Sequence, residues 1–312
     1  MKKRAFLLLL AATQQVSATT ALPVKEIAHG VYAHFGKHQL PDTKNHGEIA
    51  NLGFIVGTKC VAVIDTGGNP KQGLALKQAV AQATKTPICY VINTHIHPDH
   101  IYGNRAFKAA GVKFVGHYKL ARAMATRGHY YLDKADEQLG VKLNPEDLIP
   151  PDIEVKDSLK LDLGGRTLTL QAYPTAHTDN DLSVYDEKTD TMWLADLLFT
   201  EHIPTLDGSL KGWLSVIARL EKQKFRYVVG GHGDLVTDWS NSIQPEKHYL
   251  TLLQSEIRSA IKQGKYLEDA VKTVGISEKN NWQLFDEYHR KNVTTAFAEL
   301  EWEDEHSHHP AK

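Results

Sequence analysis

The segment Thr94-His95-Ile96-His97-Pro98-Asp99-His100 packs three imidazoles and a carboxylate into six residues, directly after the apolar run Cys89-Tyr90-Val91-Ile92. An apolar run of that length reads as a buried strand, and the polar cluster then lies on the loop at its exit. A rigid strand fixes the backbone there while the loop lets close neighbours converge on one point. Imidazole and carboxylate are the donors that suit zinc and comparable divalent ions. The His-x-His pair can aim two rings at one ion, and the Asp-His that follows can reach a second. One motif cannot complete two such sites, so further donors must come from elsewhere in the chain.

The same setting recurs three times downstream. His177 follows the strand-like 170–173, Asp196 follows 192–195, and His232 follows 227–229 within Gly230-Gly231-His232-Gly233. Asp65, at the end of the run 60–64 and ahead of Thr66-Gly67-Gly68, reads either as an acceptor for a ligating His or as an ordinary turn Asp. Around these points strands alternate with helices, among them 70–84 and the helix through Leu214, Ile217, Ala218 and Leu220. That alternation predicts a layered α/β class.

At this level the chain resembles the metallo-β-lactamase-fold hydrolases. The likeness runs over roughly residues 28–236. It rests on His95, His97, Asp99 and His100, followed in order by His177, Asp196 and His232. The resemblance implies an αββα sandwich with a C-terminal helical extension. It also implies one metal on His95, His97 and His177, a second on Asp99, His100 and His232, and Asp196 as the bridge. Two Zn2+ are the implied cofactors, with Fe as the alternative. A hydroxide shared between the metals would attack a carbonyl, with Asp99 orienting it and shuttling its proton, because coordination lowers the pKa of water from about 15.7 to near 7. Class B1 and B2 lactamases carry Cys where this chain has Asp196, a departure that points away from them and toward glyoxalase II-like members. A closer likeness is to the quinoprotein relay system, or SoxH-related, zinc metallohydrolases. It is carried by Ala50-Asn51-Leu52-Gly53-Phe54-Ile55-Val56-Gly57, His177-Thr178-Asp179-Asn180-Asp181-Leu182 and Asp207-Gly208-Ser209-Leu210-Lys211-Gly212-Trp213. It implies a functional link to a quinoprotein dehydrogenase.

Substrate contacts are read from two segments. One is the stretch after Asp196, with His202, Lys211 and Trp213; the other is 126–137, with Arg127, His129, Tyr130 and Tyr131. Surface charge for Lys211 and Arg127, and packing for Trp213 and the tyrosines, are the competing readings.

The N-terminus is an address. Lys2-Lys3-Arg4, a short apolar run and Val16-Ser17-Ala18 make a signal peptide over 1–18, with Ala21 a second cleavage candidate. The run is too short to span a bilayer and no second one follows, so the reading is an exported, periplasmic or secreted protein without stable membrane insertion. Cleavage after Ala18 leaves 33 basic against 37 acidic groups, which speaks against a nucleic-acid partner and for a small-molecule substrate. The 312 residues, 42% apolar and 23% charged, fit a folded globular chain. Its organisation is read as a main domain over 24–244 and a helical extension over 245–312, ending in a frayed acidic tail from 301. Cys60 and Cys89, near the starts of two buried runs, are either a disulfide across parallel neighbours or two packed free thiols. The rival functions are a mononuclear iron sulfur dioxygenase, a weak β-lactamase, and a non-catalytic quinone- or metal-binding protein.

Overall fold

A computed structural model describes residues 20–307. The signal peptide read over 1–18, residues 308–312 and the side chains beyond Glu303 lie outside the described residues.

The first sheet takes its seven strands in chain order: β1 (Lys25–Ala28), β2 (Val31–His34), β3 (Leu52–Val56), β4 (Val61–Ile64), β5 (Ile88–Asn93), β6 (Lys113–His117) and β7 (Ile153–Val155). The second sheet holds β8 (Ser158–Asp162), β9 (Thr167–Ala172), β10 (Leu182–Asp186), β11 (Thr191–Ala195) and β12 (Tyr227–Gly230), again in sequence order. Helices cover both outer faces, giving the αββα layering that the sequence led us to expect.

Strand alternation builds the layers. In β4, Ala62 and Ile64 point between the sheets, where they meet Leu168, Leu170, Val184 and Trp193. Val61 and Val63 point the other way, against Leu76, Ala79 and Val80 of α1 (Pro70–Ala83). That helix starts where Asn69 caps it by accepting from the Gln72 amide, with Pro70 at its first position. In β11, Trp193 and Ala195 face the inter-sheet core while Met192 and Leu194 face the opposite helical layer.

A short helix, α2 (Pro98–Ile101), follows β5, and α3 (Leu120–Leu139) packs over it through Ile101, Tyr102 and Met124. On the second sheet's outer face, α4 (Leu210–Leu220), α6 (Gln244–Lys262), α7 (Leu267–Thr273) and α8 (Phe285–Ser307) share one core with Met192, Leu194 and Val228. A single turn, α5 (Trp239–Ser242), leads into α6. The residues after 244 thus pack into the same core as the second sheet, and α8 runs on through the stretch read as frayed from 301, with Lys211 and Arg258 both bound to Glu303.

β4 and β5 are parallel neighbours, and Cys60 and Cys89 join them in a disulfide with a Cα separation of 5.5 Å.

Candidate metal centre

Four strand exits bring the ligand-type side chains to one edge of the sandwich. His95, His97, His177 and Asp196 form one group; Asp99, His100 and His232 form the other, and within each group the donor atoms lie within 4.8 Å of one another. Local backbone conformation aims them. Ala195, the last residue of β11, sits at φ 48°, a left-handed conformation that costs a residue with a Cβ roughly 1 kcal/mol and turns Asp196 off the strand. Gly231 is required by contact: a Cβ there would lie 1.8 Å from Asp196 Oδ1.

The outer nitrogen of each ring is engaged, which leaves the inner nitrogen free. Thr94 Oγ donates to Asp65 Oδ2 at 2.7 Å and so accepts from His95 Nδ1 at 3.0 Å. His177 Nδ1 donates to Thr205 O at 2.6 Å, and His232 Nδ1 to Ile49 O at 3.1 Å. His100 Nδ1 donates to Asp65 Oδ2 at 2.8 Å, and His97 Nε2 to Asp207 Oδ2 at 3.2 Å. With their hydrogens on the outer side, His95 Nε2 and His177 Nε2 face His97 Nδ1 at 3.2 and 2.9 Å. Three lone pairs that close repel one another unless a cation lies among them. Such outer partners are what hold metal-ligating imidazoles in one tautomer.

Asp196 stands between the groups. Its Oδ2 is 3.4 Å from His177 Nε2 and 3.6 Å from His232 Nε2, and its Oδ1 is 3.1 Å from His100 Nε2. Yet buried Asp196 Oδ1 and His100 Nε2 make no aligned hydrogen bond. Buried polar atoms without partners are costly, so a donor set of this kind fits a divalent metal. Burial lowers His95 well below the usual imidazole range and takes His177 down to about 3, so both are neutral donors at physiological pH. Burial alone would raise Asp196, but His100, His95 and His232 outweigh it and hold the carboxyl well below its ordinary value. The reverse holds at His100, where Asp196, Asp99 and Asp65 overcome burial and raise the imidazole.

Asp65 proves to be an acceptor rather than a plain turn residue. It is fully buried at the end of β4, at φ 53°, and takes the Thr94 amide on Oδ1 and His100 on Oδ2. Asn51 stitches the sheets at the far side: its Nδ2 donates to Gly230 O and Gly233 O on either side of His232, and its amide to Gly231 O.

Of the residues read from sequence as substrate contacts, His202 lies against the ligand His232, Arg127 reaches the centre through Asp207, and Tyr130 and Tyr131 line a cavity beside Asp99. The His202 ring stacks on His232 at 5.4 Å and packs on Tyr288 at 5.1 Å, and burial pulls its pKa down to about 3. Trp213 is fully buried in α4, edge-on to His177 at 5.4 Å, a packing role set by the helical spacing of Leu210, Trp213, Val216, Ile217 and Leu220. Lys211 lies on the outer side of that helix, 2.6 Å from Glu303. His129 lines a different groove, with Gly128, Leu132 and Pro145, away from the ligand groups.

The sequence reading gave no role to Asp207, Lys291 or Tyr288. Asp207 receives Arg127 from α3 at 2.5 Å and Lys291 from α8 at 3.2 Å while it holds His97. In the sequence Asp207 stands in the segment Asp207–Trp213 that carries the closer likeness, two residues ahead of Ser209, which caps α4.

A two-sheet sandwich with a buried His/Asp cluster at its loop edge defines a metal-dependent hydrolase. The chain belongs to the metallo-beta-lactamase superfamily, whose family model matches residues 47–232. Among solved structures it is similar to a metallo-beta-lactamase from Pontibacter korlensis, at 21% identity and a TM-score of 0.59 over 74% of this chain and 99% of that one. It is also similar to the structure titled TMB-1, at 16% identity and a TM-score of 0.57 over 74% of this chain and 97% of that one. Likenesses at such identities concern the fold. No curated protein matches the chain.

Proposed function

We propose that this protein is an exported, binuclear zinc hydrolase that opens a carbonyl substrate: a lactone, thioester, ester or lactam. The observation that carries this reading is the convergence of His95 Nε2, His97 Nδ1 and His177 Nε2, each with its hydrogen held on the outer nitrogen. Bound there, a metal pair supplies a Lewis acid for the carbonyl and acidifies coordinated water.

The chain's own groups do the rest. Asp65, Thr205 and Asp207 fix the rings, so the donors need no reorganisation during turnover. Asp99 Oδ2, 3.5 Å from His232 Nε2 on the more open side of the centre, is the carboxylate atom placed to orient the attacking water and take its proton. Tyr288 and His202 close the flank beside His232 and exclude bulk water. Export is supported by the basic, apolar and small-residue N-terminus together with a Cys60–Cys89 disulfide, a pairing that persists in oxidising compartments. The attachment to quinoprotein dehydrogenases has sequence segments alone behind it and is no part of this proposal.

The test is elemental analysis of protein taken from its native compartment without added metal, followed by chelation. The expected result is near two zincs per chain, with thioester or lactone hydrolysis lost on chelation and regained with zinc. Near one iron per chain, with oxygen uptake on persulfides, would replace the proposal with a sulfur dioxygenase.

A further inference from the structure

Beside the second ligand group lies a cavity of about 130 Å3, between α3 and the loop carrying Pro41 and Gly47. Pro98, Tyr102, Tyr131, Ala135 and Leu139 form its walls, and Asp99 belongs both to the wall and to the ligand group. One carboxylate side chain thus separates the cavity from the candidate metals. The polar ends of the two wall tyrosines are turned to protein groups: Tyr102 donates its hydroxyl to Tyr131 O at 2.8 Å, and the Tyr131 hydroxyl lies beside the Arg127 guanidinium. What the tyrosines offer the cavity is ring surface. Tyr130, 60% exposed, stands at the mouth. Apolar cavities of roughly 150 Å3 hold one benzene ring.

We infer that this cavity seats an aromatic ring of the substrate, carried on a short linker from the carbonyl that reacts at the metals. The inference rests on the hydrolase reading for the reaction, but not for the seat. The polar groups of the lining are Asp99, which belongs to the ligand group, partly exposed Lys134, which pairs with Glu137, and exposed Gln138 at the mouth. The inner wall is otherwise ring and aliphatic surface, poorly suited to a sugar or a polar headgroup, and the volume excludes a long acyl chain. The substrate class is therefore an arylacetyl-type or similar aryl-substituted ester, thioester or lactone.

Two measurements test this on the zinc-loaded full-length protein. The first follows fluorobenzene by 19F NMR with the unaltered protein, with Ala135→Leu, which fills the cavity, and with Gln138→Trp, an exposed change at its mouth that does not burden the core. The second compares kcat/KM for phenylacetyl and acetyl thioesters of one thiol. Binding of fluorobenzene that either substitution weakens, with a phenylacetyl preference of about ten- to a hundredfold that falls toward one in the variants, is the expected outcome. Fluorobenzene binding that either variant weakens, without turnover of either thioester, keeps the seat and removes the hydrolase reading instead. No fluorobenzene binding, or a preference near one in the unaltered protein, overturns the inference.

Discussion

The two sheets supply the centre in opposite ways. The first delivers four donors through one loop, residues 95–100, and braces two of its imidazoles, His100 directly and His95 through Thr94, on Asp65 beside the neighbouring strand β4, with Asp207 holding His97. The second delivers three, His177, Asp196 and His232, one from each of three strand exits, and braces its two imidazoles with backbone carbonyls from distant loops. The first arrangement is local and carried by side chains. The other depends on the registry of β9 to β12 and on the helices packed behind them. Asp196 is where the two meet, since its oxygens face imidazoles of both sets.

The largest expected effect is at that meeting point. Asp196→Asn removes the carboxylate that faces His100, His177 and His232 at once, and we expect fewer than one metal retained per chain and at least a hundredfold loss of hydrolysis, read by elemental analysis beside steady-state rates. Retention of both metals with near-normal turnover would show that the two sets assemble independently.

Next comes the brace of the local set. In Asp65→Asn the amide presents either a hydrogen to His100 Nδ1–H or its oxygen at the cost of the Thr94 contacts, so one hydrogen bond is lost. The expected result is a ten- to hundredfold drop in metal affinity, measured by competition with a chromophoric chelator. Unchanged affinity for both metals would contradict the brace.

The smallest effect is on the metal-free protein. Burial lowers His117, whose Nε2 donates across the sheets to Tyr173 O, to about 4, and His202 to about 3. An unfolded chain protonates both rings below about pH 6.5, the folded chain only near those lower values. The unfolded state therefore holds more protons in that window, and stability falls as pH drops from about 6.5 toward 4. Urea denaturation of chelator-treated protein should lose stability between pH 7 and 5, up to roughly 2 kcal/mol of it through His117, with a correspondingly shallower slope in His117→Gln.

How much of this was legible in the sequence follows from the same contrast. The 95–100 motif could be read directly, because its donors are neighbours in the chain and an apolar strand announces their position. His177, Asp196 and His232 were legible as strand-exit residues taken in order. The surroundings were not. Asp207 meets Arg127 across 80 residues and Lys291 across another 84, and no spacing rule links them. Trp213 illustrates the reverse error of emphasis: its place after Asp196 suggested a substrate wall, while the apolar spacing of 210–220 already described a buried helix face. The cavity beside Asp99 was legible only as a run of aromatics in 126–137, since which of those rings face inward depends on how α3 lies over α2.

Asn292 of α8 is buried, receives the Leu206 amide on Oδ1 and donates to Pro204 O, holding the loop whose Thr205 carbonyl orients His177. All the donor side chains precede residue 233, whereas this clasp arrives some sixty residues later in synthesis. A nascent or clipped chain that ends before α8 would own a full set of metal-seeking groups around an unfastened loop. In such a fragment, a metal held by the donors would fix the ring of His177 without its carbonyl partner. The clasp from α8 is thus the last part of the His177 support to be made, after every donor it serves.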